Sequence, residues 1–237
     1  MTKGKIYLIP SFLGEDNPNI IPQQIKDVVQ TLDIFIVEQA RTARRYLRAI
    51  GFMKNFDTEV TIHEIDKHAK AVSYDTLLKD IAIGKNIGVI SEAGSPCIAD
   101  PGSDLVAHAH KRGIEVVPLV GPNAILLALI GSGFNGQQFT FNGYLPLTTP
   151  DRIKKIKQLE AGLGSGITQL FMETPFRNQK LLDELLRTCH ADTKLCIACD
   201  LTLPTQLIRT QKIADWKKSP PNLQKRYCVF VMGGYKN

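Results

Sequence analysis

Ser91-Glu-Ala-Gly-Ser-Pro-Cys-Ile-Ala-Asp-Pro-Gly102 is the stretch on which the reading of this chain turns. It follows Asn86-Ile-Gly-Val-Ile90, a short apolar run of the kind that forms a buried strand. It precedes Ser103-Asp-Leu-Val-Ala-His-Ala-His-Lys-Arg112, a helical pattern closed by Gly113. A Gly- and Pro-rich loop therefore stands at the carboxyl end of a strand, where open α/β sheets bind ligands. Gly94 lets a ligand approach the backbone, and Pro96 and Pro101 stiffen the loop. An ordinary tight strand-to-helix connection fits the same composition.

Outward from this loop, strand and helix signals alternate. Lys5-Ile-Tyr-Leu-Ile9 reads as a strand, followed by the turn Pro10-Ser-Phe-Leu-Gly-Glu-Asp16. That turn lacks the G-x-G-x-x-G of a dinucleotide site. The pattern does occur at Gly131-Ser-Gly133-Phe-Asn-Gly136, but behind a helix-like run rather than a strand, so its required context fails. Pro22 opens a helix to about Gln30, Asp33-Ile-Phe-Ile-Val37 is a strand, and Glu38 stands at its end. The next helix carries Arg41, Arg44, Arg45 and Arg48 at i, i+3, i+4 and i+7, which places four guanidiniums on one face. Such a face suits a phosphate backbone, or is simply solvated. Glu59-Val-Thr-Ile-His63 is another strand, Tyr74 to about Ile83 is helical, and Gly113-Ile-Glu-Val-Val-Pro118 closes this half. The alternation predicts a largely parallel sheet flanked by helices.

Val120-Gly-Pro-Asn-Ala124 is a second loop opening a helix, and Gly121-Pro122 breaks the strand before it. Exposed N–H groups at a helix start suit an anion; a plain capped turn is the other reading. Gln138 to Leu145 is a strand, Asp151 to Leu159 a basic helix, and Thr168-Gln-Leu-Phe-Met172 a strand that delivers Glu173-Thr-Pro-Phe-Arg177. Glu173 and Arg177 are placed like site residues, or as an ion pair holding the loop. Asn178 to Thr188 is an amphipathic helix and Lys194 to Cys199 a strand. Cys196-x-x-Cys199 reads as buried small residues, since no helix start follows to lower a thiol pKa. Thr205 to Tyr235 reads as antiparallel strands, with Tyr227 to Met232 central. The expected fold is α/β in two lobes, residues 1–118 with a mostly parallel sheet and residues 119–237 with a mixed sheet, and a ligand cleft between them.

The totals set outer limits. The chain has 237 residues, 43% hydrophobic and 22% charged, which is a globular composition. No apolar run is long enough to span a bilayer, and the first ten residues lack a signal-peptide core, which predicts a cytoplasmic protein. Five cysteines, an odd count, predict reduced thiols. The five histidines show no metal-ligand spacing, so no metal is expected. A net charge of +6 suits a polyanionic partner such as RNA and equally suits a soluble protein that is merely basic.

Taken in order, these motifs resemble those of the tetrapyrrole-methylase-like, S-adenosylmethionine-dependent methyltransferases. Within them the chain looks most like the bacterial small-subunit rRNA cytidine 2′-O-ribose methyltransferases, from Lys5 to about Gly234. Ser91-Glu-Ala-Gly-Ser-Pro96 with Asp100-Pro-Gly102 matches S-D-A-G-T-P…D-P-G. Pro118-Leu-Val-Gly-Pro-Asn-Ala124 matches P-x-P-G-P-C/S-A, Phe139-x-Phe-x-Gly-Tyr-Leu-Pro146 matches F-x-F-x-G-F-L-P, and Glu173-Thr-Pro-Phe-Arg177 matches E-S-P-H-R. Other motifs depart. T-P-I-G-N-L is replaced by Pro10-Ser-Phe-Leu-Gly-Glu-Asp16, E-D-T-R by Glu38-Gln-Ala-Arg41, H-E-H-N by His63-Glu-Ile-Asp66, and R-E-L-T-K by Cys199-Asp-Leu-Thr-Leu203.

The resemblance implies S-adenosylmethionine held by Gly94, Ser95 and Pro96 on one side and by Gly121, Pro122, Asn123 and Ala124 on the other. It implies Glu38 or Glu173 as the base, with Arg41, Arg44 and Arg177 contacting the substrate. It also implies an RNA partner, in small-subunit rRNA or a ribosomal particle, and a homodimer. Two other readings keep the scaffold: methylation of a tetrapyrrole-like or other small molecule, and binding of the cofactor without turnover.

Overall fold

The computed structural model describes residues 3–14, 16–65, 74–100 and 102–233. Glu15, Asp66 and Pro101 of the sequence motifs lie outside them. The chain divides into two compact units, residues 1–123 and 124–237.

The first unit is built on five strands: β1 (Lys5–Ile9), β2 (Ile34–Val37), β3 (Thr61–Glu64), β4 (Ile87–Ile90) and β5 (Glu115–Pro118). They lie in the order β3-β2-β4-β1-β5, and every pairing is parallel. β2 and β4, the inner runs Ile34–Val37 and Ile87–Ile90, are dominated by β-branched residues and wholly buried, as expected of strands covered on both faces. Helices α1 (Gln23–Gln30) and α2 (Ala40–Ala49) bring Ile25, Val29, Ala43, Tyr46 and Leu47 against Ile9, Phe35, Val37 and Ile90. Helices α3 (Tyr74–Leu77) and α4 (Gly102–Lys111) serve the second cluster, where Leu77, Leu105 and Ala109 meet Ile6, Ile34, Ile36, Ile87 and Val89. Tyr74 to Ile83 is therefore not one helix. After α3 the chain tightens into a 3-10 segment at Lys79–Ile83, closed by Gly84 at φ +89°.

This topology locates a crevice. β1 leaves towards α1 in one cluster, while its neighbour β4 leaves towards α4 in the other. Adjacent parallel strands whose chains depart to opposite faces part at their carboxyl ends, and ligands of open α/β sheets bind there.

The second unit holds α5 (Ala124–Ser132), β6 (Phe139–Tyr144), α6 (Thr149–Ala161), β7 (Thr168–Met172), α7 (Asn178–Thr188), β8 (Lys194–Cys199), β9 (Leu207–Lys212), α8 (Ile213–Lys218) and β10 (Cys228–Gly233). The sheet order is β6-β7-β10-β8-β9. Only β6 and β7 run parallel, and the other pairings are antiparallel. β10 is central and every one of its residues is buried, as its apolar run predicts. The expected all-strand ending is corrected by α8, whose Ile213 and Trp216 are buried one helical turn apart. The Phe-x-Phe-x-Gly-Tyr motif acquires a physical reason. β6 breaks register between Phe141 and Tyr144, and Gly143 takes φ +62° there with open space around its α-carbon, so conformation rather than room requires glycine.

Helices α6, α7 and α8 share one core with Phe171, Leu195, Ile197 and Phe230. Within it lies an ion pair that the sequence does not announce. Arg152 Nη2 donates to Glu184 Oε1 at 2.8 Å, its Nε donates to the other carboxylate oxygen, and Nη1 donates to the carbonyls of Pro146 and Leu147. The two side chains are 4% and 1% exposed. Cys196 and Cys199 are both fully buried, and three residues apart on a strand they face opposite ways. Cys199 instead lies against Cys228, with the sulfurs 3.1 Å apart.

Candidate functional site

Three loops at the carboxyl end of the parallel sheet are stitched together by their own backbones. In the loop after β1, Ser11 N–H donates to the Gly94 carbonyl at 2.9 Å, and Gly94 N–H returns a bond to the Phe12 carbonyl at 3.1 Å. Ser91 Oγ donates to the same Gly94 carbonyl at 2.8 Å. The loop after β5 joins from the other side of β1. Leu119 N–H donates to the Leu8 carbonyl, Ser95 Oγ donates to the Pro122 carbonyl at 3.2 Å, and Asn123 Nδ2 donates to Ser95 Oγ at 3.3 Å.

Gly94 and Gly121 stand close against neighbouring loops. Gly94 takes φ +72°, and a Cβ there would stand 2.9 Å from Leu13 Cδ2 and 3.3 Å from the Pro122 carbonyl oxygen. A Cβ on Gly121 would stand 2.5 Å from Pro10 Cβ. Tyr46 of α2 fastens the platform from below, its hydroxyl donating to the Pro10 carbonyl at 2.7 Å. Burial holds that phenol above its ordinary pKa, so it stays a donor.

The turn into α4 is held by Asp100. Both of its carboxylate oxygens accept from Cys97 N–H at 2.9 Å, and Oδ1 also accepts from Gly102 N–H at 2.7 Å, at the start of the helix. This clamp keeps Cys97 and Ala99 at φ +69° and +62°, where side chains are rarely found. Burial, with Asp100 adding to it, pushes the Cys97 thiol up to about 11. Cys97 is therefore protonated and a poor nucleophile at neutral pH.

Beside this platform, between the ends of β2 and β4, is a small depression. Its walls are apolar (Ile36, Val37, Ile65, Val89, Ile90, Pro96), and its polar members are Glu38, Ser91 and Asp100. Glu38 accepts from Glu92 N–H at 3.4 Å. Glu92 also takes a bond from the Thr42 hydroxyl, and Glu64 caps the start of α2 through Ala40 N–H at 2.6 Å. Sequence reasoning named Glu38 but gave Glu64 and Glu92 no such role, because each acts across more than twenty residues of chain.

One further group was missed. Ser11 is 3% exposed, and its hydroxyl has no hydrogen-bond partner among the described residues. A buried hydroxyl without a partner costs free energy, so it marks a place where a partner belongs.

The arginine face of α2 is only partly open. Arg44 and Arg48 both lie over the Phe56 ring, at 5.5 and 4.4 Å, and Arg48 also donates to the Phe52 and Lys54 carbonyls. Arg45 pairs with Asp16 at 3.4 Å. Internal partners thus relieve the like-charge crowding of three of the four guanidiniums, whereas Arg41 is exposed with no ion pair among the described residues.

Glu173, Arg177 and Ala124 belong to the second unit. Ala124 is the first residue of α5. Glu173, buried at the end of β7, accepts from Arg177 Nη2 at 2.6 Å and from Thr174 N–H at 2.7 Å, so its carboxylate holds the turn into α7. Arg177 Nε is buried without a partner among the described residues. Among the described residues, no group of three or more His, Cys, Asp or Glu side chains is gathered as a metal site requires. No helix there is long and apolar enough to cross a membrane.

Comparison with known proteins gives one consistent answer. The family described as Tetrapyrrole (Corrin/Porphyrin) Methylases matches over residues 5–216. Ribosomal RNA small subunit methyltransferase I of Vibrio cholerae serotype O1 is 30% identical over 98% of this chain and 78% of its own length. The protein of the same name from Escherichia coli O157:H7 is 29% identical over 99% of this chain and 79% of its own. Among solved structures, the methyltransferase CobJ superposes with a TM-score of 0.63 at 20% identity, covering 98% of this chain and 94% of that one, a likeness of fold.

Proposed function

Because the chain belongs to the tetrapyrrole (corrin/porphyrin) methylase family and groups there with the ribosomal RNA small subunit methyltransferase I proteins, we propose that it is an S-adenosylmethionine-dependent methyltransferase of small-subunit rRNA, acting on the ribose 2′-hydroxyl of a cytidine. The observation that carries the reading is the stitched platform of loops after β4, β1 and β5, with a partnerless hydroxyl in it and a carboxylate beside it.

The residues present fit such a cofactor. Apolar walls suit an adenosyl group, Ser91 and Glu38 line them with polar groups, and Ser11 Oγ in the adjoining loop is the group we assign as a further partner. Backbone groups of Gly94, Ser95, Pro96, Gly121, Pro122 and Asn123 make up the rest of the cradle. When bound, S-adenosylmethionine supplies a methyl group on a positively charged sulfur.

The chain must then hold an acceptor oxygen in line with that methyl and keep water away, which favours the rigid platform over mobile loops. A ribose hydroxyl is a weak nucleophile, and Glu38 is the carboxylate we assign as its base. Glu173, tied to Arg177 and its own turn, serves better as a support for that arginine. Arg41 and the Arg177 guanidinium are suited to phosphate oxygens. The functional form is taken to be a homodimer, as the family implies. Leu126 and Ile130, 48% and 77% exposed on α5, give it an apolar face to bury.

The test is a map of ribose methylation in the small-subunit rRNA of a strain lacking this protein. One cytidine should lose its methyl group and regain it on complementation. An unchanged map would remove the rRNA assignment.

A further inference from the structure

The charge of this chain is divided very unevenly. Residues 1–123 carry 14 Lys and Arg against 15 Asp and Glu, whereas residues 124–237 carry 15 against 8. The first unit is thus close to neutral at −1, and the second accounts for +7. Six of the second unit's fifteen cations share one face. Helices α6, α7 and α8 cover one face of the mixed sheet, burying Arg152, Ile156 and Leu159, then Leu181, Leu182 and Leu185, then Ile213 and Trp216. Their outward stripes carry Lys154 and Lys157 on α6, Lys180 and Arg187 on α7, and Lys217 and Lys218 on α8, all exposed.

The acidic groups nearby are already engaged. Asp151 accepts from Thr148, Asp183 from Gln179, Glu160 from His190 N–H and Thr193, and Asp215 pairs with Lys218. Among the described residues, Lys154, Lys157, Lys180 and Lys217 have no carboxylate within ion-pair distance. The arginines of α2, the more conspicuous basic cluster in the sequence, are by contrast mostly spent on Phe56, Asp16 and backbone carbonyls.

We infer that the outward face of α6, α7 and α8 is a phosphate-backbone contact surface that docks RNA on the second unit. This rests on the reading of the chain as an rRNA methyltransferase and adds the surface that reading lacks. Lysines on three neighbouring helices make a broad field without hydrogen-bonding geometry for bases. Such a field holds an RNA by its backbone irrespective of sequence and raises the encounter rate. Selection of the cytidine is then left to the loops of the first unit.

The test compares two triple variants of the full chain. Lys154→Gln/Lys157→Gln/Lys180→Gln removes three charges from the face. Lys79→Gln/Lys85→Gln/Lys111→Gln removes the same charge from exposed positions of the first unit. Binding to isolated small ribosomal subunits, and to a single-stranded oligonucleotide of small-subunit rRNA sequence, is measured from 50 to 300 mM salt, alongside transfer of labelled methyl to the subunits. All six sites are solvent-facing, and melting curves on both variants check that they fold.

The expected result is that the helical-face variant lowers the slope of log K against log salt by about 2, from about 0.7 per single-strand phosphate contact, while the control leaves it unchanged. Equal slopes for both variants, with wild-type methyl transfer intact, overturn the docking surface and leave the enzymatic reading standing. Absence of both RNA binding and methyl transfer in the wild type overturns the enzymatic reading and the surface with it.

Discussion

Ser11 is tied to Gly94 through its backbone alone. The Ser11 amide donates to the Gly94 carbonyl at 2.9 Å, yet the Ser11 hydroxyl, buried beside it, has no partner among the described residues. Backbone bonds fix the loop, and the side chain is left over. Under the proposed function that hydroxyl is reserved for the cofactor, and the chain bears the cost of keeping it unpaired.

Ser11→Ala therefore has opposite effects on stability and binding. Removing a buried, unpaired hydroxyl should leave the unliganded protein equally stable, or more stable by up to about 1 kcal/mol. S-adenosylmethionine affinity should fall by roughly 3- to 10-fold, the worth of one neutral hydrogen bond. Thermal melting and calorimetric titration read both. A destabilised apo protein with unchanged affinity would make the serine structural.

Gly94→Ala tests the platform itself. The left-handed backbone costs an alanine about 1–2 kcal/mol, and its methyl would press on Leu13 and on the Pro122 carbonyl. The loops after β4 and β5 should separate, with cofactor affinity down at least tenfold while the strands keep their amide protection. Hydrogen exchange resolved by residue separates local loosening from global unfolding.

Asp100→Ala removes the carboxylate from the N–H groups of Cys97 and of Gly102, the latter at the start of α4. A loss of about 1.5–3 kcal/mol is expected, in the range of hydrogen bonds to charged groups. Relieved of its clamp, Cys97 should leave its positive φ and become more accessible. Its rate of alkylation, slow in the parent because burial holds the thiol near 11, should rise.

The Arg152–Glu184 pair makes a pH prediction for the second unit. The hydrogen bond from Arg152 lowers the Glu184 pKa below its ordinary value, the larger effect against desolvation. A depressed carboxylate contributes stability that is present above the unfolded value of about 4.3 and lost as pH falls through the folded one. Glu184→Gln should cost roughly 3–5 kcal/mol at neutral pH, because it strands a buried guanidinium. It should also flatten the loss of stability on acidification below about pH 4. Denaturant titrations at pH 3 and pH 7 check both.

The two sheets were legible in the sequence because most of their strands are short apolar runs separated by helical patterns. Asn178–Thr188 and Lys194–Cys199 follow their sequence patterns to the residue. Helix α8 was not legible. It is six residues long with only Ile213 and Trp216 buried, and so short a segment offers too few turns for a helical period to register. The charge pattern on α2 was visible, but what occupies it was not. Phe56 and Asp16 lie outside the helix and reach it only through the fold. The same holds for Glu184, which meets Arg152 from another helix, and for Ser11, whose meaning comes from the partner it lacks. The motif loops at 91–102 and 118–124 were readable as a candidate site. That their glycines serve loop-to-loop packing needed atomic positions.

The most direct measurement of the central claim is transfer of a labelled methyl group from S-adenosylmethionine by the purified protein to small ribosomal subunits from a strain lacking it, with the modified nucleoside identified by mass spectrometry. Label is expected in RNA as a 2′-O-methylcytidine at one position, reduced about 10²- to 10⁴-fold in rate by Glu38→Gln. Cofactor binding without any label in RNA would contradict the assignment.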